Sequence, residues 1–239
     1  MAVGVFLFAG VIKGVIGIGF PTVVMGLLGV FMPPAQAASL LVIPSVATNI
    51  WQLVAGPSLL RLIRRLWPML VGICIGTWAG AGILTSGSAE HTRFALGVIL
   101  TLYGCMSFTT IQFRVPPSAE RWLSPAVGVV TGLLSGATGV FVIPAVPYIQ
   151  ALGFDKEELI QALALSPMAS ALALGASLIN GGILGLTLAS ASLLAMAPAL
   201  AGMYAGQRLR LRVSEATFRR VFFFGLIGLG AYLMARNFG

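Results

Sequence analysis

Charged residues are scarce in this chain of 239 residues: 8% are Asp, Glu, Lys or Arg, while 58% are hydrophobic. A soluble domain carries about 25% charged residues and could not bury so much apolar surface. Residues 14–60 and 159–207 contain no charge at all. Each stretch is long enough for two bilayer crossings, because one helical crossing takes about 20 residues. Transmembrane barrel strands would alternate polar and apolar residues, so these continuous runs predict an all-α, polytopic membrane protein instead.

Acidic residues, cysteine and histidine are rarer still, with six, two and one copies. The acidic residues all lie in predicted loops or at their edges, so no intramembrane carboxylate relay for protons is predicted. Cys74 and Cys105 share no metal-ligand spacing, and we predict neither a metal nor a cofactor. An intramembrane enzyme would have only Ser135 and His91 as nucleophile and base. His91 stands beside Glu90 in a polar stretch, which is better explained by solvation, so no enzyme is predicted.

Basic residues outnumber the acidic ones and give a net charge of +8. They lie in short loops between apolar runs rather than among aromatic residues on a soluble surface. This distribution is typical of basic residues that orient a membrane protein, and it argues against binding of nucleic acid.

Eight apolar segments can be distinguished, and two of them have an unusual length. Their ranges are 2–31, 35–56, 66–84, 94–113, 122–150, 159–179, 183–205 and 217–236. The first and fifth are about 30 residues long, too long for one upright span and too short for two. Each contains small residues and Pro, at residues 17–21 and at 135–139 followed by Pro144. We predict a broken or re-entrant segment at both places, whose irregular backbone lines a cavity or is buried in protein.

The two halves of the chain resemble each other. Residues 10–14 (GVIKG) match 128–132 (GVVTG), and residues 76–80 (GTWAG) match 202–206 (GMYAG). We therefore predict two four-segment repeats, 1–115 and 116–239, in one integrated membrane domain.

Loop charges indicate how the repeats are related. Arg61, Arg64 and Arg65 precede segment three, whereas the arginine-rich loop of the second half follows segment seven. Equivalent loops would then face opposite sides of the membrane, which predicts inverted repeats with three crossings per half if segments one and five re-enter. A plain eight-span arrangement, with one arginine loop outside, is the alternative.

The glycine-rich breaks resemble those of the sulfite exporter TauE/SafE family of bacterial membrane transporters. The resemblance rests on residues 33–52 and on two sets of positions, which are Gly10, Gly14, Gly17, Gly19 and Pro21, then Gly128, Gly132, Gly136, Gly139 and Pro144. It implies a multi-pass protein of the bacterial inner membrane that exports or imports sulfite, a sulfonate or a related carboxylate.

Lys13 is the one ionisable residue well inside an apolar segment. A cation at that depth is costly and indicates a site, with an anion as its natural partner. Snorkelling to the interface is the alternative. Ser45, Thr48, Asn49 and Gln52 share one face of the second segment and could hydrogen-bond an anion or join helices.

Half-helix N-termini at the two breaks would add N–H donors for an anion. Glycines that only allow close helix packing are the alternative. The predicted substrate-binding set is Lys13, Gly17, Gly19, Pro21, Ser45, Thr48, Asn49, Gln52, Ser135, Gly136, Thr138, Gly139, Gln161, Ser166 and Ser170. We expect a transporter that holds a small organic or sulfur-containing anion near the midplane between the repeats. An intramembrane enzyme and a non-transporting scaffold are the alternatives.

Overall fold

Ten helices form the backbone of residues 1–106 and 114–236, which are the residues that the computed structural model describes. The helices are α1 (Ala2–Ile16), α2 (Phe20–Phe31), α3 (Pro34–Val54), α4 (Leu59–Ser86), α5 (Ala89–Met106), α6 (Pro117–Thr138), α7 (Ala145–Ala151), α8 (Lys156–Asn180), α9 (Leu186–Leu209) and α10 (Glu215–Ala235). No strand occurs in these two ranges, so the all-α prediction is confirmed for them. The end of the predicted fourth segment, 107–113, lies outside them.

Five helices are long and apolar enough to cross a membrane: α3, α4, α8, α9 and α10. Their outward faces carry large apolar side chains, among them Leu60, Leu186 and Leu194, which are 76–93% exposed. A surface of this kind is suited to lipid, because soluble monomers rarely expose large contiguous apolar patches. The protein is therefore a multi-pass membrane protein.

The first long segment is broken where the sequence predicts it. Gly17 ends α1 with a φ of 87°, and its N–H bonds to the carbonyl of Lys13 at 2.7 Å. Gly19 precedes α2 with a φ of 96°. Side chains rarely adopt this left-handed region, so two glycines within three residues allow the chain to turn sharply. Pro21 in the first turn of α2 lacks an N–H that the helix start would leave unbonded in any case.

The second break lies later than the sequence predicts. Ser135, Gly136 and Thr138 belong to α6, which ends at Gly139 with a φ of 73°, and the irregular stretch covers residues 139–144. The two hydroxyls stay compatible with the helix because each donates to a carbonyl of its own helix, Ser135 to Thr131 and Thr138 to Leu134, both at 2.6 Å. The prediction that the break begins at Ser135 is therefore wrong.

Helices also extend into the predicted arginine loops. Arg61, Arg64 and Arg65 lie in the first two turns of α4, not before it. Leu62 and Leu66 in the same turns are buried, so one face of this end packs inward while the arginines lie outside. Arg208 likewise belongs to α9, and Arg219 and Arg220 belong to α10.

Glycine faces pack the first helix of each half against the fourth helix of the other half. A methyl group added at Gly10 or Gly14 of α1 would lie 2.2–2.3 Å from the carbonyl oxygens of Ala199 or Met203 of α9. Gly132 and Gly136 of α6 pack in the same way against Ile73 and Thr77 of α4. Their added methyl groups would lie 2.3 Å from those two carbonyl oxygens. The backbones of both pairs are therefore in direct contact, as small residues permit in membrane helices.

This packing corrects the register of the repeat. The residues that these glycines contact on α9 and α4 show that Gly10 corresponds to Gly132 and Gly14 to Gly136. In this alignment the two left-handed helix ends, Gly17 and Gly139, also correspond to each other. The predicted match of residues 10–14 with 128–132 is thus displaced by one helical turn. The match of 76–80 with 202–206 needs no correction, since Gly76 packs on Val129 and Gly202 on Leu7, which are equivalent in the corrected register.

Helices α3 and α8 lie at the centre of the molecule, since most of the residues in their apolar stretches are buried. They run antiparallel: Val42 meets Gly175 near one end of the pair, and Gln52 meets Ile160 near the other. Helices α5 and α10 are also antiparallel, because Gly97 packs on Gly230 whereas Gly104 packs on Phe223. By contrast α1 runs parallel to α9, and α6 runs parallel to α4.

Candidate functional site

A buried lysine occupies the junction of α1 and α3. Lys13 is 3% exposed, so its side chain does not snorkel to the surface. Its Nζ donates to the Thr48 hydroxyl at 3.2 Å and to the side-chain oxygen of Asn49. Asn49 in turn lies 3.4 Å from the hydroxyl of Ser45. We call these four residues the lysine cluster.

No carboxylate pairs with Lys13 among the described side chains. The ion pairs in those residues are Arg61 with Glu158 at 2.9 Å and Arg65 with Glu120 at 2.8 Å, both at helix ends. Among the residues that the structure describes, Lys13 is also the only charged side chain that is buried. A buried charge that lacks an opposite charge is strongly destabilising unless something else neutralises it.

A second cluster occupies the corresponding place in the other half. Ser135 of α6 is Lys13's counterpart in the corrected register, and its hydroxyl lies 3.3 Å from that of Ser170 on α8. Ser135 also faces the carbonyl of Val140 in the second break at 3.2 Å, and the N–H of Val140 faces the Thr138 hydroxyl at 3.4 Å. We call Ser135, Thr138, Val140 and Ser170 the serine cluster. Its members are neutral and bond largely to one another.

Two glutamines join α3 to α8 instead of lining open space. The side-chain amide of Gln52 donates to the carbonyls of Gly17 at 3.1 Å and Ile160 at 2.8 Å, so it ties the first break to both central helices. Gln161 donates to the carbonyls of Leu53 and Gly56 at 2.6 and 2.8 Å. Gln161 also accepts from the N–H of residue 58 at 3.0 Å, which leaves its amide fully occupied.

Helix α2 brings the two breaks close together. It starts directly after Gly19, and its Met25 side chain occupies the space beside Gly139, where an added methyl group would lie 2.8 Å from the Met25 sulfur. One turn before Met25 lies Thr22, which is fully buried and whose hydroxyl has no hydrogen-bond partner among the described residues. Thr22 is not among the residues predicted from the sequence. The available signal was a hydroxyl residue directly after Pro21, in the first turn of a half-helix.

The remaining predicted positions divide between the breaks and the packing contacts. Gly17, Gly19 and Pro21 shape the first break. Gly136 is taken up by its contact with Thr77. Ser166 on α8 is buried and its hydroxyl has no partner within the described ranges, so it is available to a ligand as Thr22 is.

An apolar groove of about 350 Å³ is unsuited to binding an anion. Its walls come from α1, α2 and α10 and include Phe8, Val23, Leu27 and Phe222. Every lining residue is apolar or glycine, so the groove offers no side-chain donor.

The enzyme alternative finds no support in the geometry. The ring of His91 pairs with the hydroxyl of Ser88 at the start of α5, where it is exposed. Ser135 instead bonds within α6 and to Ser170. The proposed base and nucleophile are each engaged elsewhere.

Comparison with known protein families decides the wider assignment. The family described as Sulfite exporter TauE/SafE matches residues 2–233, nearly the whole chain. The chain belongs to the TauE/SafE family. No match was found among curated proteins or among solved structures.

TauE/SafE membership places the chain in a family of membrane transporters, which agrees with the multi-pass helical fold. The family resemblance inferred from the glycine-rich breaks is thereby confirmed. The family suggests a small anion as substrate, and Lys13 is the only charged side chain that is buried in the described part of this chain.

Proposed function

We propose that this protein carries sulfite, a sulfonate or a related small carboxylate across the bacterial inner membrane, and that it binds the anion near the midplane between the two breaks. The observation that carries the proposal is the buried Lys13 with only neutral partners, Thr48 and Asn49. Family membership supports the same reading. An anion would neutralise the lysine and would account for a charge that is otherwise costly at that depth.

Helix directions support an inverted arrangement with re-entrant breaks. Helices α3, α4 and α5 follow one another through short connections and so alternate in direction, as α8, α9 and α10 do. Since α8 is antiparallel to α3, α9 runs in the direction of α3, and so does α1, which is parallel to α9. A chain that runs along α1 and then begins α3 in the same direction has to return along α2. The same reasoning makes α6 and α7 a second hairpin.

In this proposal each half has three crossings and one re-entrant hairpin, with α5 as a sixth crossing beside the five helices that length and hydropathy single out in the described residues. The halves are then related by an axis in the membrane plane, a known transporter plan. The arginines at the start of α4 and those between α9 and α10 fall on one side, which the positive-inside rule makes cytoplasmic. Lys13 lies 11 residues from the start of α1, or about 17 Å at 1.5 Å per residue. That is close to the middle of a hydrocarbon core of about 30 Å.

The helix ends at the first break also favour a cation at Lys13 and an anion beside it. Lys13 lies in the last turn of α1, where the partial negative charge of a helix C-terminus stabilises a cation. The first turn of α2 presents the positive end of a second helix to the same turn. An anion at the hairpin would therefore meet a cation and a helix N-terminus together.

Gln52 and Gln161 act as a gate in this proposal. They cross-link α3 to α8 at the end that faces the cytoplasm, and the ion pair of Arg61 with Glu158 lies next to them. Gln52 also holds the carbonyl of Gly17. Opening towards the cytoplasm would require these bonds to separate, which links access to the position of the first hairpin.

The test is anion flux into proteoliposomes that contain the purified protein. Labelled sulfite, methanesulfonate and acetate would be compared in the parent, in Lys13→Gln and in Lys156→Gln, which removes the only other lysine from an exposed site. We expect flux of at least one of these anions, a loss of about 100-fold or more in Lys13→Gln, and parental rates in Lys156→Gln. Parental flux in Lys13→Gln would refute the site. A complete lack of flux in the parent would favour the scaffold alternative.

A further inference from the structure

Thr22 differs from three other buried hydroxyl residues near the breaks. Thr48, Ser135 and Thr138 each donate to a carbonyl of their own helix one turn earlier, at 2.6–2.9 Å. For Thr22 the residue one turn earlier is Ile18, which lies in the hairpin turn and not in a helix. Its hydroxyl consequently makes no such bond, although it is completely buried.

A buried hydroxyl that makes no hydrogen bond is costly, because it has lost water without gaining a protein partner. If Thr22 had only a structural role, Val or Ala at this position would avoid the cost. The cost is offset if a ligand supplies the missing acceptor during the working cycle.

Backbone donors accompany this hydroxyl. The first N–H groups of a helix have no intrahelical acceptor. In α2, Pro21 has no N–H and the N–H of Val23 bonds to the carbonyl of Gly19 at 3.0 Å. The N–H groups of Phe20 and Thr22 remain at the positive end of a 12-residue helix.

Thr22 lies on the side of α2 that also carries Met25. Residues three apart lie on the same side of a helix, and Met25 of α2 fills the space beside Gly139 at the end of α6. The first turn of α2 therefore starts at the first break, and the side of α2 that carries Thr22 and Met25 leads towards the second break.

We infer that the Thr22 hydroxyl and the first-turn N–H groups of α2 form a second anchoring point for the transported oxyanion, whose charge is attracted by Lys13. The inference rests on the proposed function. An oxyanion has several acceptor oxygens, so one can meet the lysine cluster while another accepts from Thr22. Thr22 then helps to select oxyanions over anions with a single acceptor atom, such as chloride.

The test is binding of sulfite and of chloride to the purified protein, measured by isothermal titration calorimetry. Thr22→Val removes the hydroxyl at nearly constant volume, and Thr22→Ser retains it. Thr77→Val is the matched control, because Thr77 is also fully buried and without a partner in the described residues but lies in the contact between α4 and α6. Circular dichroism and size-exclusion chromatography would establish that each variant is folded, and Thr22→Ala would replace a Thr22→Val variant that is not.

We expect Thr22→Val to weaken sulfite binding about tenfold or more, as for loss of a hydrogen bond to a charged group, and to leave chloride binding unchanged. Thr22→Ser and Thr77→Val should bind sulfite within about threefold of the parent. Parental sulfite affinity in Thr22→Val with lost affinity in Lys13→Gln would overturn the second anchoring point and leave the proposed function standing. Parental affinity in both would overturn both. A Thr22→Ser variant as weak as Thr22→Val would also count against the hydroxyl.

Discussion

The lysine cluster and the serine cluster occupy equivalent places in the two halves, and they differ in charge. In each, a residue of the half's first helix meets a residue of its third helix 35 positions later, Lys13 with Thr48 and Ser135 with Ser170. The first cluster holds a cation that only neutral groups contact. In the second, the hydroxyls bond to one another and to nearby backbone. The two halves thus share their backbone packing at these places, while the buried charge lies in the first half only.

In the proposed function, the similar packing of the two halves supplies the geometry of the site and Lys13 supplies the charge that binds the anion. Both first helices are held by glycine contacts of equal closeness, with added methyl groups at Gly14 and Gly136 lying 2.3 Å from opposing carbonyl oxygens. Changes to these glycine contacts, the glycine frame, should therefore affect both halves alike, whereas changes to the clusters should not.

The largest expected effect comes from giving Lys13 an acidic partner. Asn49→Asp places a carboxylate where the amide oxygen now accepts from Lys13. The new ion pair would satisfy the lysine and repel an anion, so we expect sulfite flux to fall by about 100-fold.

Asn49→Ala is the comparison for this variant, since it removes the same hydrogen bond but leaves the lysine charge free. Its flux should fall by only about tenfold or less. Equal flux in the two variants would show that the charge of the lysine cluster does not matter. Initial rates in proteoliposomes provide the measurement.

A smaller and symmetric effect is expected from the glycine frame. Gly14→Ala and Gly136→Ala should each destabilise the protein by about 1–3 kcal/mol, because the new methyl group overlaps a backbone carbonyl. The melting temperature in detergent should then fall by about 2–10 °C. Gly4→Ala, where an added methyl group meets nothing within 4 Å, is the matched control. A loss confined to one of the two helices would contradict the shared frame.

The smallest effect is expected from the serine cluster. Ser135→Ala removes bonds to Thr131 and Ser170 that are internal to the protein and neutral. Such bonds contribute about 1 kcal/mol each, so sulfite flux should stay within about threefold of the parent. A loss comparable to that of Asn49→Asp would mean that both clusters contact the anion.

Part of the helix arrangement was predictable from the sequence, because glycine is the residue expected where the backbone adopts a left-handed conformation. The break at residues 17–21 could be located because Gly17 and Gly19 flank the turn and Pro21 follows it. The second break was misplaced because small hydroxyl residues resemble a turn in composition. Which backbone atoms Ser135 and Thr138 bond to is settled only by the folded helix.

The candidate site was predictable in part. Lys13 could be inferred from its charge inside an apolar segment, and the face of Thr48 and Asn49 from their spacing. The structure joins them. Gln161 could not be recognised as a cross-link, because its acceptors, the carbonyls of Leu53 and Gly56, lie more than 100 positions away. The repeat register also failed by one turn, since glycines spaced four apart align equally well in two ways and only their packing partners distinguish them.

The exchange of partners between halves has a consequence for how the chain is assembled. Helix α1 is synthesised long before α9, the helix that covers its Gly10 and Gly14 face and that begins only at Leu186. Until α9 has been synthesised, the glycine face of α1 must therefore contact lipid or another protein. In a fragment that contains only the first half, this face of α1 would stay uncovered. We therefore expect the first half alone to associate with other chains instead of folding as a stable monomer.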